Sequence, residues 1–594
     1  MNRQLFSAIA GITLAAACIE ACSDDRGGFV EPAQGTFADA STLDAADAPV
    51  CGHQCSLDGR SVIDVCTGAV VENCPNDLAC GAAACQEPCA AAAADRSSNG
   101  CDFYLQMPRA DKRYPHSCNA AFIVNTSTQP AEVTLEREGK EIDISKSIFR
   151  TNPGSAALVA HTGAIPPGES VILFLSDSPL PVADTSYVRC PLGVVPATTT
   201  DTVPGKTGIG TSFRLTANIP VALTSMYPFG GAASYYPTAT LVLPVATWGT
   251  QHMIVNGWGT STAGDPSVQI VASEDDTEIT IVPTNDIVKG PGVVSALAGQ
   301  PVKYNLSRGQ HLQLVQTEEL SGSIVTSDKP TSTFGGNSCA FVPSNSSACD
   351  ILFQQIPPFD QWGSEYVGVG YRPRLGNEHE PMPYRIVAAR DGTVLEYDPE
   401  LPAGAPTTMN AGEVAIFRHG TGDGFVVRTQ DSEHPIYVSA HMTGGAADFS
   451  GRSYGGAGDP EFVNVIPAAQ YLNSYSFYAD PTYAETAITI VRRKINGAFK
   501  DVWLECAGTL TTWKPVGTRG EYEFTRVDLA RQGGPGDRFG DGDAATVCQA
   551  GLQRMRSEGP FTATVWGWDS YASYAYPGGT AQRKLVDTPL VPLK

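Results

Sequence analysis

No window of this 594-residue chain holds a 3.6-residue apolar period with caps at both ends, so any helices are expected to be short and few. The apolar run from Leu5 to Ala17 is too short to span a bilayer, which takes about 20 residues. Basic residues are scarce: 39 Lys and Arg stand against 62 Asp and Glu, a formal charge of −23. A surface this acidic repels phosphate backbones and anionic headgroups, which argues against nucleic acid or a bare membrane surface as partner. The nine histidines are scattered and never form His-Glu-x-x-His. The cysteines show no paired CxxC…CxxC, the spacing of a structural zinc site.

Glycine (60), proline (43) and apolar residues (42%) are plentiful, with 17% charged. That composition suits loop-rich β structure, and the length calls for several domains. Sixteen unevenly spaced cysteines point to an oxidising compartment. Arg3 followed by Leu5 to Ala17 has the form of a secretory signal. Ala15-Ala16-Ala17-Cys18, or Ile19-Glu20-Ala21-Cys22, resembles a bacterial lipoprotein cleavage box, with Cys18 or Cys22 as the acylated residue. Ordinary secretion is the alternative. Residues 1–22 are thus read as a lipoprotein signal peptide, and the acidic stretch 23–50 as a disordered tether reaching roughly 30 Å. Over 51–99, Cys51, Cys55, Cys66, Cys74, Cys80, Cys85 and Cys89 crowd a segment too small for its own core. Disulfides are expected to hold it, with Cys101 as the eighth member and the connectivity open. The other six cysteines pair by proximity: Cys118 with Cys190, Cys339 with Cys349, and Cys506 with Cys548.

Beyond Gly100 the chain repeats. IVASEDDTEITIVP (Ile270 to Pro283) returns as IVAARDGTVLEYDP (Ile386 to Pro399), each a hairpin turning on Asp275-Asp276 or Asp391-Gly392. Looser copies run from Phe122 to Leu135 and from Ile488 to Leu504. A Pro-x-x-x-aromatic element recurs as Pro244 to Trp248, Pro358 to Trp362 and Pro467 to Tyr471. A Gly then precedes Glu or Gln at Gly168, Gly309, Gly412 and Gly520, and paired strands centre on Pro220, Pro330, Pro435 and Pro560. The period is about 110 residues, giving four repeats at 100–235, 236–345, 346–455 and 456–580, with 581–594 as a tail. Units of this size bury their own cores, so the expectation is all-β: closely packed tandem β-sandwiches, or a closed ring of propeller-like blades as the alternative.

The opening Gly100-Cys101-Asp102-Phe103-Tyr104, the strand at Pro220-Val221 leading to Ala233-Ser234-Tyr235, Leu243-Pro244 and the closing Tyr574-Ala575-Tyr576-Pro577-Gly578-Gly579 resemble the N-terminal domain of IgGFc-binding proteins. Bacterial lipoproteins of similar layout carry that domain. The resemblance implies contact with an extracellular protein or glycan and transfers no ligand residues. The von Willebrand D and trypsin-inhibitor-like modules that follow the domain in animals are missing here.

Chemistry of bond making is hard to find. Gly451-Arg452-Ser453-Tyr454-Gly455 fits GxSxG, but lacks the preceding strand, the following helix and any later histidine. His434 and His441, seven residues apart on an alternating strand, point to opposite faces, leaving a weak metal candidate with Glu433. His379 reads as solvated. The acidic turns at Glu274-Asp275-Asp276 and Asp537 to Asp543 offer oxygen ligands without the spacing of a calcium loop. Facing carboxylates of a glycosidase cannot be tested by spacing. Along Phe561 to Trp568, Thr562, Thr564, Trp566 and Trp568 share one face, with Tyr571, Tyr574 and Tyr576 close behind. These rings either pack on a neighbouring repeat or meet a ligand. The chain is therefore expected to be an exported, non-catalytic binding or adhesion protein, on the outer membrane or cell surface or extracellular. It needs no cofactor or metal, touches membrane only through a lipid anchor, and has a structural scaffold and, less favoured, a carbohydrate-active enzyme as alternatives.

Overall fold

The computed structural model describes residues 52–56, 59–108, 116–183, 187–376, 379–542 and 545–590. Cys18, Cys22, the signal and the tether lie outside them. Strands dominate, and among the described residues the one α-helix is Pro88–Asp95. It closes a small N-terminal module of a three-stranded sheet (His53–Cys55, Ser61–Asp64, Val70–Asn73) and a hairpin (Ala79–Gly81, Ala84–Gln86). Cys55–Cys80 and Cys74–Cys85 bind these pieces, and Cys66 is also disulfide-bonded. Cys89–Cys101 ties the helix to the first repeat.

The first repeat comprises β1 (Gly100–Leu105), β2 (Asn119–Asn125), β3 (Val133–Arg137), β4 (Lys140–Ile142), β5 (Ser170–Ser176), β6 (Phe213–Tyr227) and β7 (Thr238–Leu241). The second has β8 (Gly249–Met253), β9 (Pro266–Ala272), β10 (Thr277–Val282), β11 (Val302–Leu306), β12 (Gln310–Val315), β13 (Ile324–Ala340) and β14 (Asp350–Ile356). The third has β15 (Glu365–Val369), β16 (Pro381–Ala388), β17 (Thr393–Asp398), β18 (Thr408–Met409), β19 (Val414–Gly420), β20 (Gly424–Thr429), β21 (Ile436–Met442) and β22 (Glu461–Asn464). The fourth has β23 (Leu472–Ala479), β24 (Glu485–Arg493), β25 (Val502–Leu504), β26 (Gly508–Thr509), β27 (Tyr522–Arg531), β28 (Gly551–Asp569) and β29 (Ala572–Pro577).

The third repeat shows the plan most plainly: two four-stranded sheets, ordered β15-β20-β17-β18 and β19-β16-β21-β22. In the other repeats one long strand, β6, β13 or β28, belongs to both sheets. Its first half pairs as β20 does and its second half as β21 does. Proline explains the crossing. Register on these strands jumps from Thr216 to Val221, from Thr326 to Thr331 and from Arg556 to Phe561, just where Pro220, Pro330 and Pro560 stand. A residue with no N–H cannot serve the ladder, so pairing stops there and the strand bends into the second sheet. Pro435 occupies the same place in the gap between β20 and β21. Gly168, Gly309, Gly412 and Gly520 have φ of 70, 75, 78 and 65°, the left-handed region that other residues enter only with strain. Each turns the chain into β5, β12, β19 or β27.

The last strands of the four repeats meet at the centre. β7 packs on β14, β14 on β22, β22 on β29, and β29 on β7, so the sandwiches close into a ring. Every seam has an apolar filling. Tyr104, Trp248, Phe334 and Phe353 fill the first, and Met253, Trp258, Tyr437 and Phe462 the second. Val369, Tyr471, Tyr522 and Phe524 fill the third, and Phe122, Phe174, Tyr478 and Tyr483 the fourth. The two expected architectures thus merge: the units are sandwiches rather than propeller blades, yet they form a wheel.

Sheet membership places the divisions between repeats one strand later than 235, 345 and 455, because β7, β14 and β22 pair backward onto the sandwich they follow. The 3₁₀ turns Val245–Thr247, Phe359–Gln361 and Ala468–Gln470 are the true joints. They are stitched together: Gln361 Nε2 donates to the Thr247 carbonyl (2.7 Å) and Gln470 Nε2 to the Gln361 carbonyl (3.2 Å). Nor do residues 581–590 form a loose tail. Gln470 Nε2 also donates to the Arg583 carbonyl (2.7 Å), Arg96 Nε donates to Gln582 O (2.9 Å), and Val586 and Leu590 are buried in the second seam.

Candidate functional site

The outer face of the fourth repeat's first sheet carries a groove of ≈ 950 Å³. Its floor is β23, β28 and β25. Register sets Ser474 opposite Arg556 and Arg556 opposite Trp503, with Ser476 opposite Arg554 in the next row. On β28, Arg554, Arg556 and Glu558 point into the groove while Gln553, Met555 and Ser557 are buried, as strand alternation requires. The Arg556 guanidinium lies 4.7 Å from the centre of the half-buried Trp503 ring, an attraction of about 0.5–1 kcal/mol at an exposed site. Arg554 pairs with Glu505 (2.5 Å) and also donates to the Gly168 carbonyl of the first repeat, so the ring seam fixes that side chain. The far rim is Phe499, Lys500 and Asp501; Arg492 and Lys494 cover the Phe499 ring at 5.1 and 4.9 Å.

This arrangement presents a flat indole, three cations (Lys500, Arg554, Arg556) and three carboxylates (Asp501, Glu505, Glu558) on a rigid sheet. No histidine or cysteine is among its lining residues. Such a surface can stack on a flat ligand and make charged hydrogen bonds to it. Trp503 and Arg556 are 53 residues apart in the sequence, and only the β25–β28 register brings them together.

The aromatic cluster expected at Trp566, Trp568, Tyr571, Tyr574 and Tyr576 sits elsewhere, and its ligand-presenting reading is corrected by burial. Trp566 and Trp568 are 1% and 2% exposed and pack into the third repeat, their rings 5.0 and 6.2 Å from Tyr371. Arg372 lies over Trp568 at 4.8 Å. On the opposite face of β28, Phe561, Ala563 and Val565 fill a cluster with Tyr574 and Tyr576, both fully buried. Tyr571 alone of the five is open to solvent, at 49%, in a turn with φ of 51°.

The remaining candidates are also placed. Disulfides join Cys118–Cys190, Cys339–Cys349 and Cys506–Cys548. His441 is buried against Phe462 and Trp258, and burial holds its imidazole well below the ordinary range. His434 Nδ1 lies 2.7 Å from Asp431 and Glu433 accepts from the Thr588 hydroxyl, so neither is grouped with His441 as a metal site; His379 stands 3.6 Å from Asp423. Ser453 Oγ accepts from the Gly455 N–H (3.1 Å) in an irregular loop. Asp275 and Asp537 accept backbone N–H groups of Arg308 (3.0 Å) and Asp528 (2.8 Å). Asp543 lies outside the described residues. Among the described residues no three His, Cys, Asp or Glu side chains are placed to share a metal.

The most perturbed acids lie at the ring centre rather than in the groove. Asp350 on β14, Glu461 on β22 and nearby Asp459 are buried, and burial pushes all three carboxyls up, Asp459 to about 8. The Asp350 carboxylate accepts from the Ser573 N–H of β29 (3.2 Å), and Glu461 accepts from the Thr238 hydroxyl of β7 (3.3 Å). All four central strands thus contribute to one polar hub.

Comparison with known proteins sets this ring in context. A family model described as IgGFc binding protein matches residues 238–567, from the first residue of β7 into β28. The human (Homo sapiens) IgGFc-binding protein is 25% identical over 300 residues, which cover 49% of this chain and 5% of the human protein. The matched segment holds the second and third sandwiches, the fourth up to Gly567 near the end of β28, and three of the four hub strands. With more than half of its residues matched, the chain belongs to the IgGFc-binding protein family.

Proposed function

We propose that this is an exported, non-catalytic recognition protein that binds an extracellular protein or glycan through the groove on the fourth repeat. The observation that carries the reading is Trp503, half-buried on a rigid sheet under Arg556 and flanked by ionised side chains, the type of surface on which Trp and Arg anchor partners. The disulfides fit an oxidising compartment. Acylation at Cys18 or Cys22, with 23–50 as spacer, would present the ring from an outer-membrane or cell surface. The human relative is named for binding the Fc of IgG, but the match spans 5% of it, so Fc is one ligand to test among others. The four packed seams favour a second reading, a rigid structural scaffold without a discrete ligand.

Immobilised mature protein is to be presented with an Fc fragment, a glycan array and extracts of its native surroundings. A bound ligand should lose at least tenfold affinity with Trp503→Ala and with Arg556→Ala, at unchanged Tm. Binding untouched by both substitutions moves the site off the groove, and no binding at all favours the scaffold.

A further inference from the structure

The second sheet of every repeat ends on the strand that follows the left-handed glycine: β5, β12, β19 or β27. In three repeats the chain covers that edge with a short antiparallel strand. Ile148–Arg150 lies on β5, Gly208–Thr211 on β12 and Lys514–Val516 on β27. β19 has no such cover and is the bare edge of its sheet.

Backbone direction along β19 follows from its partner β16. The Ala388 N–H donates to Glu413 O and the Gly412 N–H donates to Ala388 O, so even-numbered residues of β16 face β19. By register, Ala415, Phe417 and His419 answer them. The N–H and C=O groups of Val414, Ile416 and Arg418 therefore point out of the edge. The Arg418 N–H approaches Ala403 O at 3.5 Å; the others meet no backbone partner among the described residues. Val414 and Ile416 are 36% and 44% exposed. Arg418 rests over Phe449 at 5.2 Å and has no carboxylate partner among the described residues. Edges of this kind are ordinarily blunted by proline, a bulge, a covering segment or charged side chains, and on β19 the charge is that of Arg418. The seven residues of β19 contain no proline, and their pairing with β16 runs without a register shift.

We propose that β19 is a docking edge for an extended segment of a partner polypeptide, added as a further strand. Its apolar residues would lie beside Val414 and Ile416, with a carboxylate near Arg418, the charge complement of that guanidinium. The three covered sister edges show what such an occupant looks like. This surface is distinct from the groove on the fourth repeat.

The probe is a labelled heptapeptide alternating threonine and valine with a central aspartate, titrated into the whole protein by fluorescence anisotropy. Saturable binding is expected, weakened at least tenfold by Ile416→Pro, which deletes an outward N–H and leaves the ladder to β16 intact. Arg418→Glu should switch preference to the same peptide with a central lysine, and neither variant should change the effect of Trp503→Ala on groove binding. The proposal is overturned if the peptide does not saturate, or if Ile416→Pro and Arg418→Glu leave binding as it was. It also falls if sedimentation shows a wild-type dimer that Ile416→Pro dissociates, which assigns the edge to self-association.

Discussion

Gly100 and Gly249 open β1 and β8 and Gly363 stands two residues before β15, and each lies against a proline of the following 3₁₀ turn: Pro244, Pro358 and Pro467. A Cβ on Gly249 would stand 2.7 Å from Pro358 Cβ, and a proline ring cannot swing aside. Gly249→Ala is expected to cost about 1–3 kcal/mol by overpacking, read as a lower Tm by calorimetry. Gly52→Ala, with open space around it, should leave Tm unchanged. These contacts join residues 144, 109 and 104 positions apart, so no local pattern announces them. The left-handed glycines before Glu or Gln were legible, because a turn into a strand is a local matter and recurred four times. Trp503 was not, since its partner Arg556 comes from a distant strand.

At the scale of elements, β28 shows what periodicity delivers and where it stops. Its alternation separates Phe561, Ala563 and Val565 from Thr562, Thr564, Trp566 and Trp568, as the sequence implies. Alternation cannot say what covers each face, and here both are covered, one by the fourth repeat's own core and one by the third repeat. The backward pairing of β7, β14 and β22 was equally silent in the sequence, because alternation within a strand does not say which sheet the strand joins. Cys506–Cys548 staples β25 to the segment before β28 across 42 residues, whereas Cys339–Cys349 spans 10. Loop-closure entropy puts the longer crosslink at about 4 kcal/mol and the shorter at about 3. Urea melts of the double serine variant at Cys506 and Cys548 should show the larger loss, and equal losses would mean that native packing, not loop length, sets the effect.

For the molecule as a whole, the hub couples stability to pH. Burial raises the Asp350, Asp459 and Glu461 carboxyls, and Asp350 is raised further by the other two. A carboxyl kept protonated by folding contributes its full stability below its ordinary pKa and loses it as pH climbs through the folded value. For Asp459 that window runs from about 4 to about 8. Tm should therefore fall across this range, and Asp350→Asn, neutral throughout, should flatten the slope and raise Tm at pH 8. Scanning calorimetry from pH 4 to 9 checks it; parallel slopes in both proteins would contradict the assignment. No spacing in the sequence signals this hub, since Asp350 on β14 meets Asp459 and Glu461 at β22 only when the ring closes.

Closure is made by residues at opposite ends of the folded body: the Thr580 N–H donates to Ser98 Oγ (3.1 Å) across a separation of 482 positions. The path into the wheel and the path out thus share one doorway. A body of that kind hangs from a longer polypeptide like a pendant from a cord, adding bulk at one bead without lengthening the string. Such geometry lets a body be placed along a longer chain while its four seams stay untouched.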